Sequence, residues 1–426
     1  MNTTVRLRHL AQVNPLTPAF DRLSNDDELT FIPMESVWPN TRLDISRRRT
    51  KAAVATGYTR FQDGDVLVPK ITPTFEAGRA VLISGLLGGV GTGTTELHIV
   101  RPGPQIDPGF LLHVVNTHRF LKLGAAEMYG VAGQQRVPDS FLRNLPISLP
   151  PLEEQRRIAD FLDAETARVD ALATKRGEQA RLLQERRVAC LASCVSSHGP
   201  DAYIHPLAGN VSRQWPVVQL RRVLPAVNVG VVINPSTYFS DAGLPFIHGF
   251  NVRSGWINPQ GMKFISEASN EELGRSKLHA GDVLVVRAGA PGRSAVVTDE
   301  YDGANCASVL ILRRGQQVLP EFLSAFINSP AGRGQVRIAQ YGAAQEVISA
   351  AQTLSFQIPV PDLPEQRHRV VNLKRELTAL DHMGKKLEHQ SDLLAERRQA
   401  LITAAVTGQF DVSTASGRNV TDGVHP

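Results

Sequence analysis

Cysteine is scarce: the 426-residue chain holds only Cys190, Cys194 and Cys306. An odd, sparse set builds no disulfide framework and fits a reducing compartment. Cys190 and Cys194 stand four apart in a helical pattern, which is metal-ligand spacing. No His or Cys nearby completes a site, so the reading is helix packing and no metal. Long apolar runs are absent too. Nothing approaches the roughly 20 residues needed to cross a bilayer, and MNTTVRLRHLAQVNP lacks the apolar core of a signal peptide. No membrane is expected, and the cytoplasm is the expected location.

Catalytic motifs are missing as well. Gly88-Gly-Val-Gly-Thr-Gly93 fits neither a dinucleotide fingerprint nor a P-loop, since no Lys-Ser/Thr follows, and reads as a glycine-rich turn between strands. Asn14-Pro15, Asn234-Pro235 and Asn258-Pro259 lack the second proline that an adenine methyltransferase motif requires. There is neither a carboxylate-and-lysine cluster for nuclease metals nor a helicase P-loop. No catalytic residue is assigned.

What is present is globular material, 42% hydrophobic and 20% charged, with a net charge of +5 that suits a polyanionic partner without requiring one. Above all, the chain repeats itself. Residues 150–189 and 361–400 align at a fixed offset of 211 and agree at 16 of 40 positions, an ordered agreement that marks a duplication. Both copies are rich in helix formers, with proline only in the opening turn. Leu373, Leu380, Leu387, Leu394 and Leu401 recur every seven residues. The first copy sets Leu162, Val169, Leu183 and Cys190 in the same register, broken by Arg176. A heptad repeat of this length predicts a coiled-coil seam, and 40 helical residues span roughly 60 Å. Each stripe needs a partner, and an antiparallel pairing of the two helices supplies it. The plainer alternative is two amphipathic helices packed separately on their own domains.

Fainter echoes precede each helix. Gly64-Asp-Val-Leu-Val-Pro-Lys70 answers Gly281-Asp-Val-Leu-Val-Val-Arg287. Each is followed by a glycine-containing loop and a β-rich run, Arg79-Ala-Val-Leu-Ile83 and Arg293-Ser-Ala-Val-Val297. Short β-branched segments between Gly, Pro, Asn and Asp predict mainly β domains with some helix. The expected fold is α+β: two mainly β domains separated by two long antiparallel coiled-coil helices, with an internal pseudo-twofold duplication. The expected boundaries are 1–149, 150–197 (helix), 198–360, 361–410 (helix) and a disordered tail at 411–426.

Pro150-Pro-Leu-Glu-Glu-Gln-Arg156 and Pro361-Asp-Leu-Pro-Glu-Gln-Arg367, each opening a long helix, resemble the specificity subunits of type I restriction–modification systems. So do Gly64-Asp-Val-Leu and the stretch from Glu396 to Gly408. The resemblance covers nearly the whole chain. It departs at Cys190-Leu-Ala-Ser-Cys-Val195, which replaces the small-residue ending of the second copy. It implies two target recognition domains, each reading half of a bipartite site in double-stranded DNA, on helices that bind two methyltransferase subunits and through them restriction (translocase) subunits. This subunit would need no cofactor; S-adenosylmethionine, ATP and Mg would belong to its partners.

The loops after the two Gly-Asp-Val-Leu strands supply the first DNA-contact candidates: Lys70, Thr72, Thr74 and Arg79 in one domain, Arg287 and Arg293 in the other. The alternative is a solvated hairpin. Gln134, Gln135 and Gln345 follow glycine turns and either pair with adenine or cap the turn. Arg47, Arg48 and Arg49 suit phosphate neutralisation, or a solvated loop. Gln155, Arg156, Gln366 and Arg367 belong to the subunit interface or the helix start. Two rival functions remain: a coiled-coil scaffold that never touches DNA, and the recognition part of a fused restriction–methylation enzyme.

Overall fold

A computed structural model describes residues 3–39, 42–131, 133–232, 235–340, 347–410 and 412. The expected tail at 411–426 lies outside these residues except for Val412. The chain divides into two compact units, residues 1–177 with 388–426, and residues 178–387. Both long helices form, the central one over Leu152–Val195 and the distal one over Leu363–Val406. Each contributes residues to both units.

Within the first unit, Asp170 of the central helix pairs with Arg398 of the distal helix at 3.1 Å. Leu162, earlier in the central helix, shares a core with Leu401 and Ala405, later in the distal helix. The segments are therefore antiparallel. The second unit repeats this arrangement: Arg187 pairs with Asp381 at 2.6 Å, and Cys194 shares a core with Leu373. These ion pairs are one pair seen twice, since Asp170 and Asp381, like Arg187 and Arg398, are 211 residues apart. The departure at the end of the central helix changes composition but not placement. Cys190, Leu191, Cys194 and Val195 are buried at the positions that Leu401, Ile402, Ala405 and Val406 occupy in the other copy. Burial raises the Cys190 and Cys194 thiols to about 11 and about 12, so both stay protonated and pack as apolar groups. Among the described residues no His, Cys, Asp and Glu cluster suits a metal, and no helix is long and apolar enough to cross a membrane.

The β layers are also built twice. In the first unit Thr3–Arg6 pairs with Pro146–Leu149, and a four-stranded sheet runs in the order Ala11–Val13, Leu97–Pro102, Val66–Pro69, Val81–Leu82. In the second unit Val217–Gln219 pairs with Gln357–Pro359, and the sheet order is Val227–Val229, Val309–Leu312, Val283–Val286, Ser294–Val296. A second four-stranded sheet in each unit contains one parallel pair, Glu28–Ile32 with Val90–Gly93 and Leu244–His248 with Asn305–Ala307. The second unit adds a hairpin, Ala202–His205 with Gly209–Ser212, after the central helix. The glycine run at 88–93 is a turn leading into a strand. A side chain at Gly91 would meet the Phe61 ring at 2.5 Å, so its glycine permits close packing rather than a phosphate cradle.

The Gly-Asp-Val-Leu motif has a structural explanation. Gly64 and Gly281 both sit at φ 88°, in the left-handed region that favours glycine. The aspartate that follows closes the turn by accepting from Gln62 N or His279 N. It also forms a buried ion pair with an arginine on the adjacent chain segment: Asp65 with Arg101 at 2.7 Å, and Asp282 with Arg313 at 2.6 Å.

Candidate nucleic-acid interface

The two helix openings are wired alike. Gln155 is 1% exposed: its Nε2 donates to the carbonyls of Pro150 and Gln105, and its Oε1 accepts from Asp107 N. Gln366 is 0% exposed and does the same with Pro361 O, Gln317 O and Leu319 N. Each glutamine fastens the start of a long helix to the turn before a short one, Pro108–Val114 or Pro320–Asn328. Of the two roles expected for these residues, this geometry is the helix start, and it leaves no side-chain group to offer a second chain. Arg156 and Arg367 point outward, Arg156 paired with Glu153.

Strand Val66–Pro69 delivers its loop beside a second loop. Thr72 N donates to Gln135 O, Gln135 N donates to Thr72 Oγ1, and Val137 N donates to Lys70 O. Lys70, Thr72, Gln134 and Gln135 are thus brought together. Lys70 Nζ reaches Thr95 O at 2.9 Å. Partial burial lowers its pKa, with Glu96 opposing the shift. The turn after Gly130 is closed by backbone bonds between Tyr129 and Arg136 and from Gln134 N to Val131 O. The side-chain amides of Gln134 and Gln135 make no hydrogen bond among the described residues. Thr74 is 7% exposed and donates to Ile71 O, so it supports the loop from inside. Arg79 lies at the far end, where Nη1 reaches Val37 O at 3.3 Å and Nε is buried without a partner.

In the second unit Arg287 leaves strand Val283–Val286 and exchanges hydrogen bonds with the backbone of Ile348. Gln345 lies outside the described residues. Arg293 closes the loop and lies near Arg333 of helix Pro330–Gln340, whose pKa is lowered by burial and then by Arg293. Among the described residues no carboxylate forms an ion pair with Arg287, Arg293 or Arg333. Cations left unmatched around a loop favour an anionic partner. Arg47, Arg48 and Arg49 stand apart from these loops, at an edge strand, Arg48–Thr50. Arg47 pairs with Glu35 at 2.9 Å, Arg48 donates to Thr30 Oγ1 at 3.1 Å, and Arg49 lies 5.7 Å from the Phe31 ring. All three remain exposed.

Comparison with known proteins follows this geometry. Residues 101–180 match the family model of the type I restriction modification DNA specificity domain. The chain is 40% identical over 153 residues to the EcoEI specificity subunit of Escherichia coli and 42% identical over 153 residues to the EcoAI specificity subunit. Those stretches are 35% of this chain but only 25% and 26% of those relatives, so the alignment spans about a quarter of their length. The EcoKI specificity subunit of E. coli K12 is 24% identical over 323 residues, 73% of this chain and 68% of that protein. A structure reported for complex assembly and conformational transition of the type I R-M system superposes with a TM-score of 0.74 at 21% identity, covering 96% of this chain and 98% of that one. The HsdS subunit of Thermoanaerobacter tengcongensis gives 0.52 at 20% identity, over 96% and 97%. The chain therefore carries a match to the type I specificity domain over residues 101–180, is similar over part of its length to type I restriction enzyme specificity subunits, and shares the fold of the solved HsdS subunit.

Proposed function

We propose that this chain is the DNA sequence-specificity subunit of a type I restriction–modification complex. Each unit reads one half of a bipartite site in double-stranded DNA, and the chain performs no chemistry itself. The carrying observation is a frame built twice in the chain that ends in divergent loops. The same strand, turn and buried Asp–Arg pair recur in both units. What they present differs: Lys70-Ile-Thr-Pro-Thr-Phe-Glu-Ala-Gly-Arg79 in one, Arg287-Ala-Gly-Ala-Pro-Gly-Arg293 in the other. One scaffold with two loop sequences suits two different half-sites.

In this reading Lys70, Thr72, Arg79, Gln134 and Gln135 contact DNA in the first unit, and Arg287, Arg293 and Gln345 in the second. Exposed amides and unpaired guanidiniums carry the donors that major-groove base edges require. Arg47, Arg48 and Arg49 neutralise phosphates. The outer faces of the long helices, with Arg156 and Arg367, dock two methyltransferase subunits and through them restriction subunits. S-adenosylmethionine, ATP and Mg are bound by those partners. The unmatched arginines favour this reading over a scaffold that never meets DNA.

The test is a domain exchange. Residues 1–149 are replaced by the corresponding domain of a relative, and methylated adenines are mapped in cells that co-express the methyltransferase subunit. One half-site should change while the other is retained. A change in both, or in neither, would contradict the assignment of one domain to one half-site.

A further inference from the structure

The chain has three tryptophans. Trp215 lies under the Arg369 guanidinium at 4.5 Å. The other two lie in equivalent hairpins of the two units, Trp38 on the first arm and Trp256 on the second. After strand Glu28–Ile32 the chain turns into a small hairpin closed by a bridge between Val37 and Leu43, with Trp38 N donating to Arg42 O at 3.0 Å. After the equivalent strand Leu244–His248 a hairpin is closed by Val252 and Ile257, with Arg253 N donating to Trp256 O at 2.9 Å. Trp38 is 39% exposed and Trp256 50%. A single exposed apolar side chain needs no explanation. An exposed indole set across from an arginine in the equivalent hairpin of both copies of a duplicated fold does.

Each hairpin is also fastened to the candidate reading loop of its own unit. Arg79, at the end of the first loop, donates to Val37 O. In the second unit Gly255 N donates to Ser294 O at 2.8 Å. Arg333 joins loop to hairpin, donating to Pro291 O at 2.8 Å and to Ser254 Oγ at 3.4 Å. Cations without carboxylate partners accompany both indoles. The Arg42 guanidinium lies 5.9 Å from the Trp38 ring, and Arg253 and Arg333 flank the Trp256 hairpin.

We propose that these hairpins are a second DNA-contacting element in each unit, with Trp38 and Trp256 laid against the duplex beside the reading loop and sharpening the half-site which that loop reads. This rests on the DNA-reading function proposed above. The chemistry fits duplex DNA. A flat apolar face packs on a thymine methyl group or a deoxyribose, and the adjoining guanidinium meets a phosphate. Hydrogen bonds from hairpin to loop make the two elements move as one, so the indole adds to the loop's discrimination.

The experiment uses the full chain assembled with its methyltransferase subunits and a fluorescent duplex carrying the mapped site, with binding followed by anisotropy. Trp256→Ala should weaken cognate binding about tenfold, one well-placed base-edge contact. Because no charge is lost, the salt dependence should keep its slope, whereas Arg293→Ala should reduce that slope by about one. Trp256→Phe should retain most of the affinity. Trp38→Ala should relax only the other half-site. As a measurement independent of any loss of folding, the Trp215→Phe protein should show its remaining indole emission quenched when the duplex is added. If the Trp38 and Trp256 variants bind within twofold of the parent, or that emission does not change, while Arg293→Ala weakens binding, the hairpin proposal is overturned and the reading of DNA by the loops stands. If the unsubstituted assembly shows no preference for the mapped duplex, the underlying function fails and the hairpin proposal with it.

Discussion

Replacing Gln366 by alanine removes three hydrogen bonds from a side chain with no exposed surface. Its amide donates to Pro361 O at 2.8 Å and Gln317 O at 2.9 Å and accepts from Leu319 N at 2.8 Å. The truncated side chain leaves those backbone groups without these partners, and a buried polar group left unsatisfied costs about 1–3 kcal/mol. Allowing for water reaching some of them, the expected loss is about 3 kcal/mol, a large share of the ~5–15 kcal/mol that stabilises a domain. The cost should fall where the distal helix meets the turn before Pro320–Asn328. Hydrogen exchange followed by mass spectrometry should show Leu319 and the first turns of that helix exchanging about a hundredfold faster, and urea unfolding should shift to a lower midpoint. Gln366→Glu, which keeps an acceptor for Leu319 N but loses both donors, should also destabilise. An unfolding free energy within 0.5 kcal/mol of the parent, with unchanged exchange, would refute the claim that this amide docks the helix; the 0.5 kcal/mol limit is about the scatter of neutral surface substitutions.

Three further outcomes follow from the same geometry. Asp282→Ala leaves Arg313 largely buried without its counter-charge and should cost about 3–5 kcal/mol, read as the urea midpoint of the second unit; Asp65→Ala should do the same in the first, and a loss below about 1 kcal/mol in both would contradict the role given to the pair. His98 is held near pKa 4, first by burial, against an ordinary 6.5. The unfolded chain therefore binds the extra proton, and stability should fall as pH drops from about 6.5 to 4, by up to about 3 kcal/mol. Leu310 holds the equivalent strand position in the second unit, so acid should open the first unit earlier; His98→Gln should flatten the pH dependence, and an unchanged profile would exclude His98 as its source. Finally, Asp170→Arg with Arg398→Asp should recover part of the stability that either single change loses, with a coupling of about 0.5–1 kcal/mol for a partly exposed pair; a double-mutant cycle with zero coupling would argue against this contact between the helices.

The long helices were legible because their signals are local: helix-forming composition, proline confined to the opening turn and leucine every seventh residue. Arg176 marked the break in the first seam, and the structure leaves most of residues 171–182 exposed. The duplication was legible for the same reason, since those segments carry no insertion. Contacts across many residues were not. Gln155 and Gln366 stood out as repeated, but their burial depends on backbone groups 47 to 50 residues away. Asp65 and Asp282 were seen as part of a motif whose arginine partners lie 36 and 31 residues downstream. Thr74 is a DNA-contact candidate by its place in the loop, yet the loop folds back and buries it. A fixed offset of 211 does not relate Trp38 and Trp256, which are 218 residues apart and on opposite arms of their hairpins; only the shared hairpin relates them.

The central claim is split-site recognition, and the direct measurement is the pattern of methylated adenines across a genome when this chain and its methyltransferase subunit are expressed together. The account predicts one asymmetric bipartite sequence, two specified half-sites around a spacer of fixed length and no sequence preference. Methylation at a continuous motif, or at no motif, would contradict it.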